Sequence, residues 1–530
     1  MGLESESAKN SSAVIHASTA IGAALSLVLL LGGCGGGANP SVKPVPVSTP
    51  APAPSGGISV PAPAENFPSS ASLAQQCVAP RPGSTDKQGS IDTEKSWLRS
   101  FMNETYLWYK DIPAVDASQY TLAKYNGNVF DTLTAYFEAL LTPTLTASGK
   151  RTDQFSFTIP TEELLDSQNG ISTGYGITWA FVSNRIPRLV NVVEVTPGSP
   201  AALAGVARGD TLLSVDGVDI NDPSADAPAK LNAGIFPSTL NKLTNFKFLP
   251  FGSATPRDVA LKSAVISEKA VQLTKVITEA DKRIGYLVLN SFNILAAESE
   301  LLSAINTLKA ANVNELVLDL RYNGGGFLDI SSQLGWMIGG SNLDGKIFER
   351  SLCNDKNPLD ICNTSTPFHK TTQGFNGVSG QPLPQLGLSR VFVLTTGNTC
   401  SASEALINSL APFLQVIQIG GSTCGKPYGF FITDNCGTSY AAIQFQGVNA
   451  LGFGDYADGF SATCKLADDL SKSRGDSSEA MLSGALSYIK TGACPLGSGI
   501  QRSLSPRDTL EFKIPRKPWE EIRILNKPKP

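Results

Sequence analysis

The pattern of apolar and polar positions is organised around the stretch from Val391 to Phe430. Val391 to Thr395 (VFVLT) is a short apolar run, as expected of a strand buried on both faces. Gly397-Asn398-Thr399 interrupts it as a turn. From Ser401 onward apolar residues fall at 402, 405, 406, 410, 413 and 414, a helical period. Val416 to Ile419 predicts a second strand, followed by Gly420-Gly421 and then Gly425-Lys426. The order is therefore strand, tight turn, serine, helix, strand, glycine turn, lysine. It places Ser401 at an exposed strand end and at a helix N-terminus. There the N–H groups of Ser401 and Ala402 and the helix dipole favour a developing oxyanion.

The same patterns recur on either side. IGYLVLNSF (284–292) predicts a strand and AAESELLSAINTLKAAN (296–312) an amphipathic helix. ELVLDLRYNGGGFLDIS (315–331) reads as a buried strand passing through three glycines into a helix. SSEAMLSGALSYIKTGAC (477–494) predicts a closing helix. Nearer the start, Trp97, Leu98, Phe101, Met102 and Tyr106 form a wide apolar helical face, read here as core. Between these regions, LVNVVEV (189–195) predicts a strand. PGSPAALAGVARGDTLLSVDGVDI then gives a turn, a short helix Ala201–Gly205 and a hairpin at Asp216-Gly217.

The first 75 residues follow another pattern. An apolar stretch, Ala20 to Leu31, ends in Gly32-Gly33 before Cys34. Residues 1–33 read as a bacterial lipoprotein signal with Cys34 as the lipidated residue, although the opening MGLESESAKN carries one lysine against two glutamates. The apolar stretch is too short and glycine-interrupted for a membrane span. Residues 34–75 are rich in Gly, then in Pro, Ala and Ser, and predict a tether of partly polyproline character. Composition acts mainly by exclusion: a formal net charge of −4 without a basic stripe argues against a nucleic-acid partner. Of nine cysteines, eight remain if Cys34 is acylated, and an even count in an exported chain predicts disulfides. Cys353 with Cys362 is the best local pair and Cys424 with Cys436 the second; the connectivity stays open. Two histidines and no C-x-x-C argue against a metal site.

A serine hydroxyl needs a base. His16 lies in the expected signal, and His369 lies in a polar, Cys-bounded region and reads as surface. A desolvated lysine can serve instead, and the strand–helix–strand order returns Lys426 toward Ser401. Three rival readings are weaker. Gly420 to Lys426 fits G-x-x-x-x-G-K, but Pro427 stands where a P-loop needs Ser or Thr, so no nucleotide is expected. Glu404 stands where S-x-x-K would need lysine. Blandest of all, Ser401 would only cap its helix and Lys426 would be solvated.

G-N-T-C-S-A-S-E followed by G-K, with the lysine twenty-five residues after Ser401, resembles the catalytic segment of the S41 peptidases, the C-terminal processing proteases. The resemblance covers about residues 95 to 494. It implies Ser401 as nucleophile and Lys426 as base. Asp319-Leu-Arg321-x-Asn323 and its three glycines resemble the family's oxyanion segment, so Gly324 or Gly325 is the expected second donor beside Ala402. Gly174-Tyr175-Gly176-Ile177, with the GSPAALAGVARGD string, resembles the carboxylate-binding loop of a PDZ domain. Two positions depart from the family. The glutamine often found four residues after the lysine is Phe430, and an acidic residue on the helix after the serine is Pro412.

The implied fold is a multidomain α/β chain: a helical N-terminal region (76–165), a PDZ domain (166–262), a crotonase-like β/α serine protease core (263–495) and a tail (496–530). The implied function is cleavage of proteins or peptides, recognised by their C-terminal ends, in the cell envelope, with the chain held to a membrane by lipid on Cys34. No cofactor or metal is implied. The alternative is a peptide-binding scaffold lipoprotein on a retired protease fold, motivated by Phe430 and Pro412.

Overall fold

The computed structural model describes residues 67–495, apart from 147, 280, 359–361, 363 and 364, together with Ile514. The expected signal, Cys34 and most of the tether lie outside the described residues, as does the tail except Ile514. The end of the predicted tether is structured. Ser70–Leu73 forms one helical turn, and the Ser70 N–H donates to Glu104 Oε1 at 2.9 Å.

Helices α1 (Ile91–Thr105) and α2 (Val129–Ala139) dominate the N-terminal region. Ser90 caps α1, accepting from the Thr93 N–H at 3.2 Å, and Asp92 and Glu94 sit in its first turn. The aromatic face is core, as its spacing predicts. Trp97, Phe101 and Tyr106 pack with Tyr136 and Phe137 of α2 and with Tyr440 and Ile443 far along the chain. A strand at Phe157–Pro160 pairs with Thr438–Ala441, so this region shares a sheet with the C-terminal half.

The next region is a small antiparallel sheet of β1 (Ile177–Ser183), β2 (Leu189–Val195), β3 (Thr211–Val215), β4 (Leu243–Leu249) and β5 (Arg257–Lys262), covered by α3 (Ala227–Ile235). The strand order is β5-β4-β3-β2-β1, which leaves β1 at the edge. Asp216 and Gly217 both have positive φ and turn the predicted hairpin. Along β1 the side chains alternate: Trp179 and Phe181 face this sheet's own core, and Ala180 and Val182 face away.

The second sheet runs β6 (Val271–Glu279), β7 (Lys282–Leu289), β8 (Glu315–Asp319), β9 (Arg390–Thr395), β10 (Gln415–Gly420) and β11 (Cys464–Lys465), in that order. All pairings from β7 onward are parallel. Helices α4 (Ala297–Ala310), α5 (Leu328–Gly339) and α6 (Ala402–Leu410) make crossovers on one face, and α7 (Ala480–Thr491) covers the other. The strands are apolar on both sides for this reason. Leu287, Leu318 and Val393 meet α4, α5 and α6, while Val288, Val317 and Phe392 meet α7.

Four disulfides join Cys77–Cys436, Cys353–Cys362, Cys400–Cys424 and Cys464–Cys494. The first predicted local pair is present. The second is not: Cys436 turns a hairpin toward the N-terminal region and meets Cys77, which leaves Cys424 to Cys400.

Between the first sheet and the second lies a buried ionic cluster. Arg321 is fully buried and donates to Asp319, to Asp468 at 2.7 Å and to both oxygens of Glu479 at 3.0 Å. Arg208, on the turn before β3, donates to Asp468 at 2.7 Å and to the Tyr322 hydroxyl at 2.6 Å. Arg474 bonds Asn290 and Glu194, the latter on β2. Asp319 and Arg321 thus stand behind the glycine turn and fix its base.

Candidate active site

Strands β8 and β9 are direct neighbours, with Asp319 opposite Leu394. Each leaves the sheet at its carboxyl end through a turn that opens a helix. Ligand sites in α/β sheets form at this edge. The two turns are tied together: Cys400 N–H donates to Asn323 O at 3.0 Å, Thr399 Oγ1 to Leu320 O at 2.9 Å and Ser403 Oγ to Asn323 O at 3.1 Å. The turn after β10 joins them, with Gly421 N–H on Thr395 O and Cys424 N–H on Thr399 O.

Ser401 is the N-cap of α6, with φ 55° and ψ −115°. Left-handed φ at a residue with a Cβ carries strain of about 1–3 kcal/mol, held only where surroundings over-determine it. Here they do. The Ser401 N–H donates to Glu404 Oε2 at 3.0 Å, and the Cys400–Cys424 disulfide clamps the preceding residue. The Ser401 N–H is therefore engaged, contrary to the expectation that it would be a free donor.

Gly325 lies directly against the serine. A Cβ built there would be 2.7 Å from Ser401 Cβ and 2.9 Å from the Ala402 nitrogen, so only glycine fits. The Gly325 N–H donates to Asn323 Oδ1 at 2.8 Å. Of the two glycines expected to offer a donor, Gly325 thus holds its own turn.

Sequence reasoning passed over Glu404, noting it only for not being lysine. It is fully buried, and it also accepts the N–H groups of Gly425 and Lys426, each at 2.8 Å. One oxygen, Oε2, receives both Ser401 and Lys426. Burial pushes its carboxyl above the usual carboxylate range, while hydrogen bonds from Thr423 and from the Lys426, Gly425 and Ser401 amides act the other way. The signal was present: S-x-x-E ahead of an apolar run is the capping-box pattern.

Lys426 is half-buried, less enclosed than a desolvated base implies. Its Nζ lies 4.5 Å from the centre of the Phe430 ring and 5.2 Å from that of Phe155. The residue that departs from the family pattern therefore packs on the lysine. Pro412 follows the end of α6. His369 is half-buried rather than at the surface, with Nε2 2.9 Å from Asp329 Oδ1. Ligand atoms of Cys400, Glu404 and Cys424 lie within 4.8 Å of one another, but both sulfurs are tied up in the disulfide.

Gly174, Tyr175 and Gly176 lead into β1, which Ile177 opens. Tyr175 is buried, with its hydroxyl on Thr244 Oγ1 at 2.7 Å. Its side chain is core, so any peptide contact there falls to the main chain. Gly176 has φ +77°, and a Cβ would collide with Ser199.

The architecture is that of a chain with a PDZ sheet set beside a β/α crossover core carrying a strained serine at the strand ends. Residues 283–432 match peptidase family S41, 192–229 match a PDZ domain, and 93–157 match the peptidase S41 N-terminal domain. The chain thus carries a region similar to the S41 peptidases beside a region similar to a PDZ domain. It is 28% identical to a carboxyl-terminal-processing protease of Picosynechococcus sp., over 48% of this chain and 57% of that one. It is 26% identical to the chloroplastic carboxyl-terminal-processing peptidase 2 of Arabidopsis thaliana, over 54% of this chain and 52% of that one. The chain thus spans little more than half the length of these curated relatives. A solved Bacteroides fragilis protein assigned to the S41 proteases shares the fold, with TM-score 0.55, 24% identity, and coverage of 75% of this chain and 97% of that one.

Proposed function

We propose that this chain is a serine endopeptidase of the cell envelope, acting on proteins or peptides through Ser401 and Lys426. One observation supports this above the rest: a single buried oxygen, Glu404 Oε2, takes the main-chain N–H of both residues, so the two turns hold one geometry. Ser401 Oγ attacks the scissile carbonyl carbon while neutral Lys426 Nζ takes its proton. The carbonyl oxygen becomes an oxyanion facing the N–H groups of Ala402 and Gly324. The C–N bond then breaks, the leaving amine takes the proton from Lys426, and an ester on Ser401 remains. Water, deprotonated by the same lysine, hydrolyses that ester.

The PDZ sheet supplies selection. The open edge of β1 suits a substrate's C-terminal segment adding as a strand, with the 174–177 main chain receiving its carboxylate. No helix among the described residues is long and apolar enough to cross a membrane. Attachment in this reading comes from lipid on Cys34.

The test is cleavage of an unfolded protein with an apolar C-terminus, beside labelling by a fluorophosphonate. The parent cleaves and is labelled on Ser401. Ser401→Ala and Lys426→Ala each lose at least about a thousandfold, the scale seen when a nucleophile or its base is removed. Equal activity in Ser401→Ala ends the reading. A parent that binds the C-terminal peptide but is neither labelled nor active would instead be a peptide-binding scaffold.

A further inference from the structure

Ile514 is buried, 9% exposed, although it belongs to a tail of low apolar periodicity. Its side chain packs with Ala180 and Val193 of the PDZ sheet and with Tyr322, while Val182 and Leu470 close the sides. Its N–H donates to Asn398 Oδ1 at 3.0 Å. The slot therefore offers an apolar pocket for one side chain and a fixed acceptor for one main-chain N–H. Those are the two elements that recognise a residue in an extended peptide. Pro515 in the sequence biases Ile514 itself toward extended backbone.

The walls of the slot matter. Tyr322 stands two residues before Gly324, and Asn398 three before Ser401. Ala180 and Val182 are on β1, the edge strand, on the face turned from the PDZ core. Leu470 is on the segment that carries Asp468 and Arg474 of the ionic cluster. One residue of the tail thus touches the strand proposed to receive substrate and both turns that build the candidate site.

We propose that this slot is a peptide subsite for an aliphatic side chain, that Ile514 is its resident ligand, and that a substrate chain must displace Ile514 to reach Ser401. The second half rests on the peptidase reading; the first does not.

The experiment separates the two. Full-length chains in a Ser401→Ala background, with Ile514 or with Ile514→Asp, are titrated with a fluorescein-labelled peptide of residues 510–518 (LEFKIPRKP). The Ile514→Asp chain should bind it at least tenfold more tightly than the chain with Ile514. A peptide with aspartate at the 514 position should bind neither. Equal affinity of both chains, or no binding to either, overturns the subsite. With Ser401 intact, Ile514→Asp and Ile514→Ala should cleave an unfolded protein several-fold faster than the parent. An equal or slower rate overturns displacement. Absence of cleavage in every chain removes the peptidase reading, and the anisotropy result still decides the slot.

Discussion

Glu404 at the Ser401 corner and Asp468 at the PDZ–core junction both have buried carboxylates, and they answer burial in opposite ways. Glu404 is held by main-chain N–H groups, and its carboxyl is pushed up. At Asp468 burial also pushes upward, but the Arg208 and Arg321 guanidiniums outweigh it and bring the group down to about 2. The junction is fixed by compensated full charges, the corner by amide dipoles around one acid. Charge pairs can hold separate segments together, here the PDZ turn at Arg208, the strand end at Arg321 and the loop at Asp468. Amides can fix the main chain at Ser401 and Lys426 without placing a guanidinium among them. Breaking the junction should therefore cost stability first, and breaking the corner should cost rate first.

The largest effect expected is at Arg321. Arg321→Met takes the guanidinium from buried Asp319 and Glu479, while Asp468 keeps Arg208, and such breaks cost about 3–5 kcal/mol. Urea unfolding of the full chain should show that loss. A change under about 1 kcal/mol would mean the cluster relaxes into water. Next comes Glu404→Gln. One carboxylate oxygen becomes an amide NH2 that cannot accept, leaving at least one of the Ser401, Gly425 and Lys426 N–H groups without its partner. At about 1–3 kcal/mol for each orphaned group, a ten- to hundredfold fall in the rate of Ser401 acylation is expected. A parent-like rate would show that the disulfide and the turn hydrogen bonds alone hold the serine.

The pH dependence carries the contrast in sign. Asp468 has a folded value of about 2, below its usual 3.8, so its contribution is complete above about pH 4 and disappears as pH falls toward 2. A shift of this size corresponds to about 2 kcal/mol. Glu404 is raised, so its ionisation disfavours the fold as pH rises above the ordinary glutamate range. Thermal melts should show an acid limb of destabilisation, and Asp468→Asn should flatten it while lowering stability at neutral pH. An unchanged acid limb in Asp468→Asn would assign that limb to other carboxylates.

Much of the corner was legible because its order is local. The strand at 391–395, the serine, the helix and the strand at 416–419 follow one another, and each obeys its own period. The glycine turn after 315–319 was legible for the same reason. Its division of labour was not, since whether Gly324 or Gly325 offers a free N–H depends on where the Asn323 side chain folds. Glu404 was legible in kind, as a capping-box acid. Its reach to Gly425 and Lys426 comes from tertiary folding of β10 back beside β9. The Cys77–Cys436 bridge joins residues 359 apart and follows only from the N-terminal region sharing a sheet with 438–441. The ionic cluster hid for a related reason: Arg208, Arg321, Asp468 and Arg474 look like ordinary surface charges until three segments meet.

The smallest effect is expected at Phe430, where this chain carries an aromatic in place of the glutamine often seen in the family. The ring lies 4.5 Å from Lys426 Nζ, a separation at which a cation over an aromatic face gains about 0.5–1 kcal/mol at a partly exposed site. Phe155 lies farther off, at 5.2 Å, so removing Phe430 alone leaves one aromatic wall standing. Phe430→Leu keeps the bulk and removes the ring, so it should lower kcat two- to fivefold, the rate equivalent of that energy, with KM unchanged. Phe430→Gln should recover most of the loss, because an amide oxygen can hold an ammonium by a hydrogen bond where the ring holds it by its quadrupole. Recovery by glutamine would make the aromatic a substitute orienting group. Parent-like kcat in Phe430→Leu would instead show that the Phe430 ring does not position the lysine.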